Sequence, residues 1–573
     1  MRAAFFVVAA MWGAQAAAQD GSSQGIGQYG PTFVPLDTTA TGQAISGIDV
    51  RIGTSSGDAA TDATALEAAR KATASLVGRS YQPILVESAL TRLLVKGNVR
   101  AATQAPSFDP ALGSLRLVVS LDLAAAPAPG TVAVPAKPTF PVIYQDDRSK
   151  LTFIIGGGLG LYSDGNPWFG QPELFNQYNP LAGNLPGSST TWEEGYLEFG
   201  IGGATQVADL PFYLFGAASG IFSLSRNQDI FTDEPRNYLH PEKGYAGILY
   251  ADKSTGNSAV LSFGRQTWTL NDGFLISMVS GSANAGQRGA TYLGPRNATD
   301  FTALATGQFG RASFSAFYID PDELEQLESN TTFSGLNFGY DISDSFSADA
   351  SFITIPTSDS TYATPQGIAL PREGTYTYGV HALYRPPTPD HVWIEAEAYQ
   401  QSNSDYPMSA QAWYGTVGYI KSSLAWSPSI SFRLANFSGD NPATETYERF
   451  DSLMSTGLGN WLQGISFGKV YRNVNLNTAR IQVNVVPKEN MNLTLTWHKL
   501  QADELNNLGG NPALADLSSS DIGNEYTATL RYAIDRNYYL QLVASYAAPG
   551  KALRDIGADE PWTTLQASLY VNF

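Results

Sequence analysis

Four arginines sit on the polar side of alternating segments, and their chemistry suits contact with an anion rather than bond-making. Arg433 shares parity with Ser431 against Ile430, Phe432 and Leu434, and Arg480 shares it with Gln482 and Asn484 against Ile481 and Val483. Arg531 goes with Thr527 and Thr529, and Arg311 with Ser313 and Ser315. A guanidinium is a planar fork that takes a carboxylate bidentately, so such a face could line a path for an anionic polymer. Glu198, Glu395 and Glu397 fall on the same kind of face, the last two beside Trp393 and Tyr399. The arginines therefore have two uses open to them, contact with cargo and internal ion pairing. Enzymatic chemistry is thinly provided: histidine occurs only at His240, His381, His391 and His498, with no serine elbow or metal-binding spacing beside it. Cysteine is absent, which removes thiol nucleophiles, thiolate metal sites and N-terminal cysteine lipidation. The reading is a non-enzyme with no cofactor and no resident metal. Asp164, Asp233, Glu234, Asp320, Asp322, Glu323, Glu325 and Glu328 are expected in exposed loops as a solvated acidic surface. Bridging of these acids by Ca²⁺, to one another or to lipopolysaccharide, is the alternative.

The composition narrows the classes further. Of 573 residues only 15% are charged, against about 25% in an ordinary soluble protein. With 12% aromatics the chain is no disordered acidic tail, and a net charge of −18 argues against a nucleic-acid partner. Beyond the first residues no apolar run approaches the length of a transmembrane helix.

The elements that would position the arginines begin at about residue 150. Residues 1–18 read as a signal peptide: Met1-Arg2 is a basic start, Ala3 to Gly13 an apolar run, and Ala16-Ala17-Ala18 a cleavage site. A core helix is the alternative there. Residues 43–123 read as a small α+β unit in the order strand (45–52), helix (61–77), helix (opened by Pro83 and ended by Gly97-Asn98), strand (99–105) and strand (115–121). Residues 124–149 form a Pro/Ala-rich bridge holding Pro127, Pro129, Pro135, Pro138 and Pro141, a stiff spacer. The whole net negative charge falls in residues 150–573.

From Leu151 onward the period is two. Tyr526, Ala528, Leu530 and Tyr532 alternate with Thr527, Thr529 and Arg531, and Leu565, Ala567, Leu569, Val571 and Phe573 alternate with polar residues. Short turns are expected at Asp341–Asp344, Arg385–Asp390, Ser422–Ser427, Pro487–Asn490 and Asp535–Asn537, with long polar loops between them. Lipid cannot satisfy an open sheet edge, so a sheet that is apolar outside and polar inside must close. The expected fold is a mainly β, closed antiparallel transmembrane β-barrel of about 18 strands, with 16 fitting almost as well. A soluble sandwich or propeller would need a dry interior, which these polar faces oppose.

Several phrases resemble known families. The unit at 43–123 resembles a POTRA domain, the periplasmic module that precedes many outer-membrane barrels; another small α+β domain is the alternative. Terminal Phe573 resembles the assembly signal of bacterial outer-membrane barrels. The strand with Gly264, Arg265 and Gln266 resembles the alginate-export family of outer-membrane proteins, as do Ser438-Gly439-Asp440 and the later Phe450-Asp451. Ser452 stands where that family's loop has Pro. Arg265 departs from expectation, sharing parity with apolar Leu261 and Phe263, so it calls for a bulge or an interfacial site. The resemblance implies an outer-membrane channel exporting an exopolysaccharide, anionic in character, through a lumen containing Arg311, Arg433, Arg480, Arg531, Glu395 and Glu397. The POTRA-like unit departs from that family and keeps open a polypeptide-secretion barrel; a nutrient-uptake porin is third. Secretion barrels carry a Val-Arg-Gly-aromatic motif late in the barrel, and Gln287-Arg288-Gly289-Ala290 lacks the aromatic and comes too early. The partners implied are the outer membrane with its lipopolysaccharide, the polysaccharide, the barrel-assembly machinery and a periplasmic export partner. The localisation implied is the cell outer membrane, with the N-terminal unit in the periplasm.

Overall fold

A strand that shows hydrocarbon one face and water the other cannot end in an unpaired edge within a membrane, because nothing there bonds its amides. The computed structural model describes residues 45–77, 86, 90, 99–109, 114–123 and 141–572, apart from 147, 253–254, 256, 278–290, 294–295, 344, 387–389, 422, 456–460, 489–490 and 535–537. The expected leader, most of the Pro-rich bridge, the 287–290 string, the turn at Asp535–Asn537 and Phe573 lie outside the described residues.

The small unit comprises β1 (Ile45–Thr54), α1 (Ala59–Thr73), β2 (Val99–Asp109) and β3 (Ser114–Leu123). Asp58 caps α1, accepting from the Thr61 amide at 2.9 Å. The sheet order is β1-β3-β2, with β1 parallel and β2 antiparallel to β3. Leu117, Val119, Leu121 and Leu123 of β3 form the buried face, against Ala65 and Ala69 of α1. Val86 and Leu90, one helical turn apart, are the described part of the second helix and are buried in the same core. The stripe expected to be buried on that helix, Ile84, Leu85, Ala89, Leu93 and Leu94, lies outside the described residues.

The chain then enters a short strand β4 (Val142–Gln145), which pairs with β5 (Ser149–Gly165). Next come β6 (Ser189–Gln206), β7 (Phe212–Arg226), β8 (Arg236–Ala251), β9 (Ser258–Arg265), β10 (Phe301–Phe309), β11 (Ala312–Asp320), β12 (Thr332–Ser343) and β13 (Phe346–Thr357). A loop hairpin, β14 (Thr361–Ala363) and β15 (Ala369–Pro371), interrupts the series. It resumes with β16 (Thr375–Tyr384), β17 (Asp390–Asn403), β18 (Ala410–Lys421) and β19 (Ser429–Phe437). The last five are β20 (Leu476–Lys488), β21 (Met491–Ala502), β22 (Asp521–Ala533), β23 (Tyr538–Pro549) and β24 (Trp562–Asn572). Among the described residues, eighteen strands, each antiparallel to its chain neighbours, close when β24 pairs with β5.

Connections alternate between short and long. The joins β10–β11, β12–β13, β16–β17, β18–β19 and β20–β21 are short and lie at one end, while β9–β10, β19–β20 and β21–β22 are joined by long segments at the other. The expected turns therefore fall within a few residues of their places. β5 starts at the short-connection end, so the α+β unit joins the barrel there. Along β19, Ile430, Phe432 and Leu434 are exposed while Arg433 and Ala435 are buried, the alternation expected of a lipid face and an inner face.

This two-sidedness can be measured. Leu434→Arg, mid-strand on the lipid face, should cost about 2–4 kcal/mol in a denaturant titration of the membrane-inserted barrel. The same change at inward-facing Gln482 should leave the unfolding midpoint close to wild type.

Candidate functional site: a lumen narrowed by two inward folds

Strand register sets a row of polar side chains across the inner wall, with a two-residue step along β17 from Glu397 to Glu395. Asp349 pairs with His381, His381 with Glu397, Glu395 with Thr416, Thr416 with Arg433, Arg433 with Arg480, Arg480 with His498, and His498 with Glu525. Acids thus occupy β13 and β17, and arginines occupy β19 and β20. His381 lies between Asp349 and Glu395, at 2.7 and 3.3 Å.

Two long connections, 266–300 and 438–475, fold into this lumen. Phe274 of the first and Trp461 of the second are fully buried, with ring centres 4.5 Å apart, and both pack against Tyr414 of the wall, Phe274 edge-on and Trp461 tilted. The two segments also share a backbone bridge at Ile276 and Met454, where the Met454 amide donates to the Leu275 carbonyl at 3.0 Å. Backbone amides brought into a barrel need acceptors, and three carboxylates supply them. Glu194 accepts from the amides of Thr291, Tyr292 and Leu293 at 2.7–2.9 Å. Glu242 accepts from Asn297 and Ala298 at 2.7 and 3.0 Å. Glu525 accepts from Ile465, Ser466 and Phe467 at 2.5–3.2 Å, and from the Ser545 hydroxyl at 2.6 Å.

The expected lumen residues lie on the inner wall, with one exception. Arg433 is buried: Nε donates to the Thr416 hydroxyl at 2.9 Å, and the guanidinium lies 4.3 Å from the Trp461 ring centre and 4.8 Å from that of Tyr414. Its nearest carboxylates are Asp272 at 3.4 Å and Glu395 at 4.0 Å. Glu397 accepts from Tyr399 at 2.6 Å and from the Asn271 amide at 3.3 Å. Arg480 and Arg531 are buried on the inner wall, and Arg531 donates toward Gln541 at 3.3 Å. Arg311 is placed differently: it lies in the tight turn between β10 and β11 and donates to the Ile342 carbonyl at 2.9 Å, outside the wall row. Two acids expected at the solvated surface are buried instead. Asp164 accepts from Tyr292 and Trp562 at 3.0 and 2.9 Å, and Asp322 pairs with Arg265 and Arg296.

The motif residues anchor loops. Gly264 has φ +118°, and a Cβ there would meet the Gly244 carbonyl oxygen at 2.2 Å. Just past this positive-φ glycine, at the end of β9, Arg265 pairs with Asp300 and Asp322. Gln266 accepts from Ser262 at 2.8 Å and donates to the Thr302 carbonyl at 3.1 Å. Ser438 accepts from the Gln411 amide and donates to the Glu448 carbonyl, at 2.9 and 2.6 Å. A Cβ on Gly439 would meet Asn475 Oδ1 at 2.1 Å, so the closeness of the two segments requires glycine. Asp440 accepts from the Glu448 amide at 2.9 Å, and Phe450 is buried against Phe437. Asp451 accepts from Arg372 Nε at 2.6 Å and Tyr362 at 2.7 Å, tying the second inward fold to the loop that carries the β14–β15 hairpin.

Two cations on the second inward fold escaped the sequence reading, because an irregular loop has no parity from which to read a face. Lys469 lies 4.8 Å from the Tyr292 ring centre, with Glu194, Asp164 and Asp229 as its charged surroundings. Arg472 is open to solvent although protein surrounds it, as befits a side chain in a water-filled lumen. It has no ion-pair or hydrogen-bond partner among the described residues. Its neighbours are tied: Tyr471 donates to the Asn475 carbonyl at 2.8 Å, and Asn473 donates to the Trp461 carbonyl at 2.9 Å. Parity could have singled out Glu194, beside Trp192 and Glu198, and Glu525, beside Thr527.

A closed barrel with hydrocarbon-facing apolar strands and a polar lumen narrowed by its own loops is an outer-membrane channel, with its short connections on the periplasmic side. Residues 224–560 match the alginate export family, and the chain belongs to that family. Among solved structures, Acinetobacter baumannii OccAB2 is 9% identical, with a TM-score of 0.45 over 74% of this chain and 98% of that one. Pseudomonas aeruginosa OprD is 11% identical, with a TM-score of 0.44 over 74% of this chain and 95% of that one. No curated protein sequence matches the chain.

Two outcomes test the anchoring. Glu525→Gln removes the anionic acceptor, and loss of a buried acceptor costs about 1–3 kcal/mol. Hydrogen exchange at Ile465–Phe467 should accelerate while that of β22 stays unchanged. Burial alone would raise the Asp451 carboxyl, but the Arg372 guanidinium and the hydrogen bonds from Arg372, Tyr362 and Leu453 hold it below its ordinary value. The tie is therefore complete above the ordinary carboxylate range, about pH 4, and is lost as pH falls through the lowered value. Limited proteolysis of the 438–475 fold should stay slow from pH 7 to about pH 4 and quicken only below that. Asp451→Asn should be cleaved quickly even at pH 7.

Proposed function

We propose that this channel exports an exopolysaccharide, anionic in character, from the periplasm to the cell surface. The observation that carries the reading is Arg472, a cation held on a braced inward fold, facing lumen water and without an internal partner among the described residues. A carboxylate on a passing sugar could take its fork bidentately and move on, since one exposed contact is weak enough to release. Arg433, by contrast, is engaged by aromatic rings and acids, so its charge serves the narrowing more than the cargo. Membership of the alginate export family supports the same reading. In it, residues 1–18 are the export leader, and the α+β unit is a POTRA-like periplasmic module that meets the machinery delivering the polymer. The chain acts as a passage, with no bond chemistry of its own.

Deleting the gene should abolish the acidic polysaccharide in the medium and leave it in the periplasm, with wild-type protein restoring export. In planar bilayers the wild type should prefer anions, and Arg472→Ala should lower that preference severalfold, with Arg472→Lys between the two. Cation preference in the wild type overturns the reading. So does a deletion strain that secretes its polysaccharide normally while retaining a protein in the periplasm, a result that supports polypeptide secretion.

A further inference from the structure

Three strand ends break the two-sided grammar of the barrel. β7 opens with Phe212-Tyr213-Leu214-Phe215, β8 closes with Ile248-Leu249-Tyr250-Ala251, and β9, after Ser258, runs Ala259-Val260-Leu261. In each, both faces are apolar, which is the pattern of a strand covered on both sides rather than wetted on one. Phe212, Leu214, Ile248 and Leu261 are the exposed, lipid-facing members. Tyr213, Leu249 and Val260 are therefore on the inner face, and register puts them side by side, Tyr213 against Leu249 and Leu249 against Val260. All three lie near the short turns 207–211 and 252–257, at the periplasmic mouth. Elsewhere toward that end the inner wall carries polar groups, as with the Thr152 hydroxyl donating to the Gly202 carbonyl at 3.1 Å, and Asn484 accepting from Thr494 at 3.1 Å.

A greasy patch on a wetted wall should be exposed, yet Tyr213, Leu249 and Ala251 are each only 1% exposed. What covers them is the α+β unit: they belong to one buried cluster with Ile45, Val50, Leu117, Val119 and Leu121, with Phe215 and Val260 packed against it. Sequence pattern and burial, two separate observations, thus identify the same seat and the same occupant.

We propose that the α+β unit is an entrance gate, seated on the Tyr213–Leu249–Val260 patch at the periplasmic mouth, and that it must lift off before cargo enters the lumen. The seat is a handful of side chains, small enough to release. The covalent bridge keeps the local concentration of the unit high, so it reseats after each passage. The gate does not depend on which polymer passes, so its failure and that of the export reading are distinguishable.

The test uses the full chain. Tyr213→Ser with Leu249→Ser puts on the inner face what the rest of that wall carries, and heat-modifiable mobility on gels reports assembly. Single-channel conductance of this variant should rise by about twofold or more, with rarer closures, as the seated population falls. Because the chain has no cysteine, Ala251→Cys gives one thiol under the seat. In otherwise wild-type protein it should react with a maleimide about tenfold or more slower than Asp209→Cys in the exposed turn, and it should speed up when the seat is serine-substituted. The proposal is overturned by an assembled serine variant whose conductance and closures equal wild type. It is equally overturned if Ala251→Cys reacts as fast as Asp209→Cys, a result that stands even if the serine variant fails to assemble.

Discussion

A backbone amide carried into the interior of a barrel has to find an acceptor there, because the strand ladder has already used its own. The two inward folds meet this demand with carboxylates from the wall. Glu194, Glu242 and Glu525 each gather consecutive amides of one fold, so a few side chains hold long irregular segments at a defined depth. Tilted and edge-on aromatic packing among Phe274, Tyr414 and Trp461 then fills the space between the folds and the wall. The same requirement, applied to strands in lipid, is what makes the sheet close.

Charge in the lumen is consequently of two kinds. Most of it is internal: Arg433 among its rings and acids, His381 between two carboxylates, Glu198 with Lys243 at 2.9 Å. Such groups give the narrowing its shape, and removing one would strand its partners. The second kind is displayed on a braced loop, where Arg472 meets water. Selectivity placed on an anchored loop can differ between proteins without disturbing the ladder beneath.

The strands were legible because lipid and water impose a period of two, and the turns were legible because tight reversals need particular residues. Tyr526, Thr527 and Ala528 could be assigned faces by counting alone. Counting failed where the backbone departs from the pleat. Gly264 takes a positive φ at the end of β9, just before Arg265, and Arg311 falls in a turn, where parity has no meaning. Asp164 and Asp322 looked like solvated acids because their buried donors come from loops remote in sequence, Tyr292 and Arg296 among them. Lys469 and Arg472 carried no sequence signal at all, since an irregular fold gives no rule for which way a side chain points. The Ser438–Asp451 motif was visible as a string, but its work, bracing one loop against another, is a property of distances.

The bridge between Ile276 and Met454 makes the two folds mechanically dependent. The Met454 amide is bound to one fold's carbonyl, and the Ser277 hydroxyl donates back to the Met454 carbonyl at 3.2 Å. Neither segment can be withdrawn alone without tearing those bonds in a site that water reaches poorly. The obstruction is therefore one bolt with two roots, in which displacing either fold breaks bonds made by both.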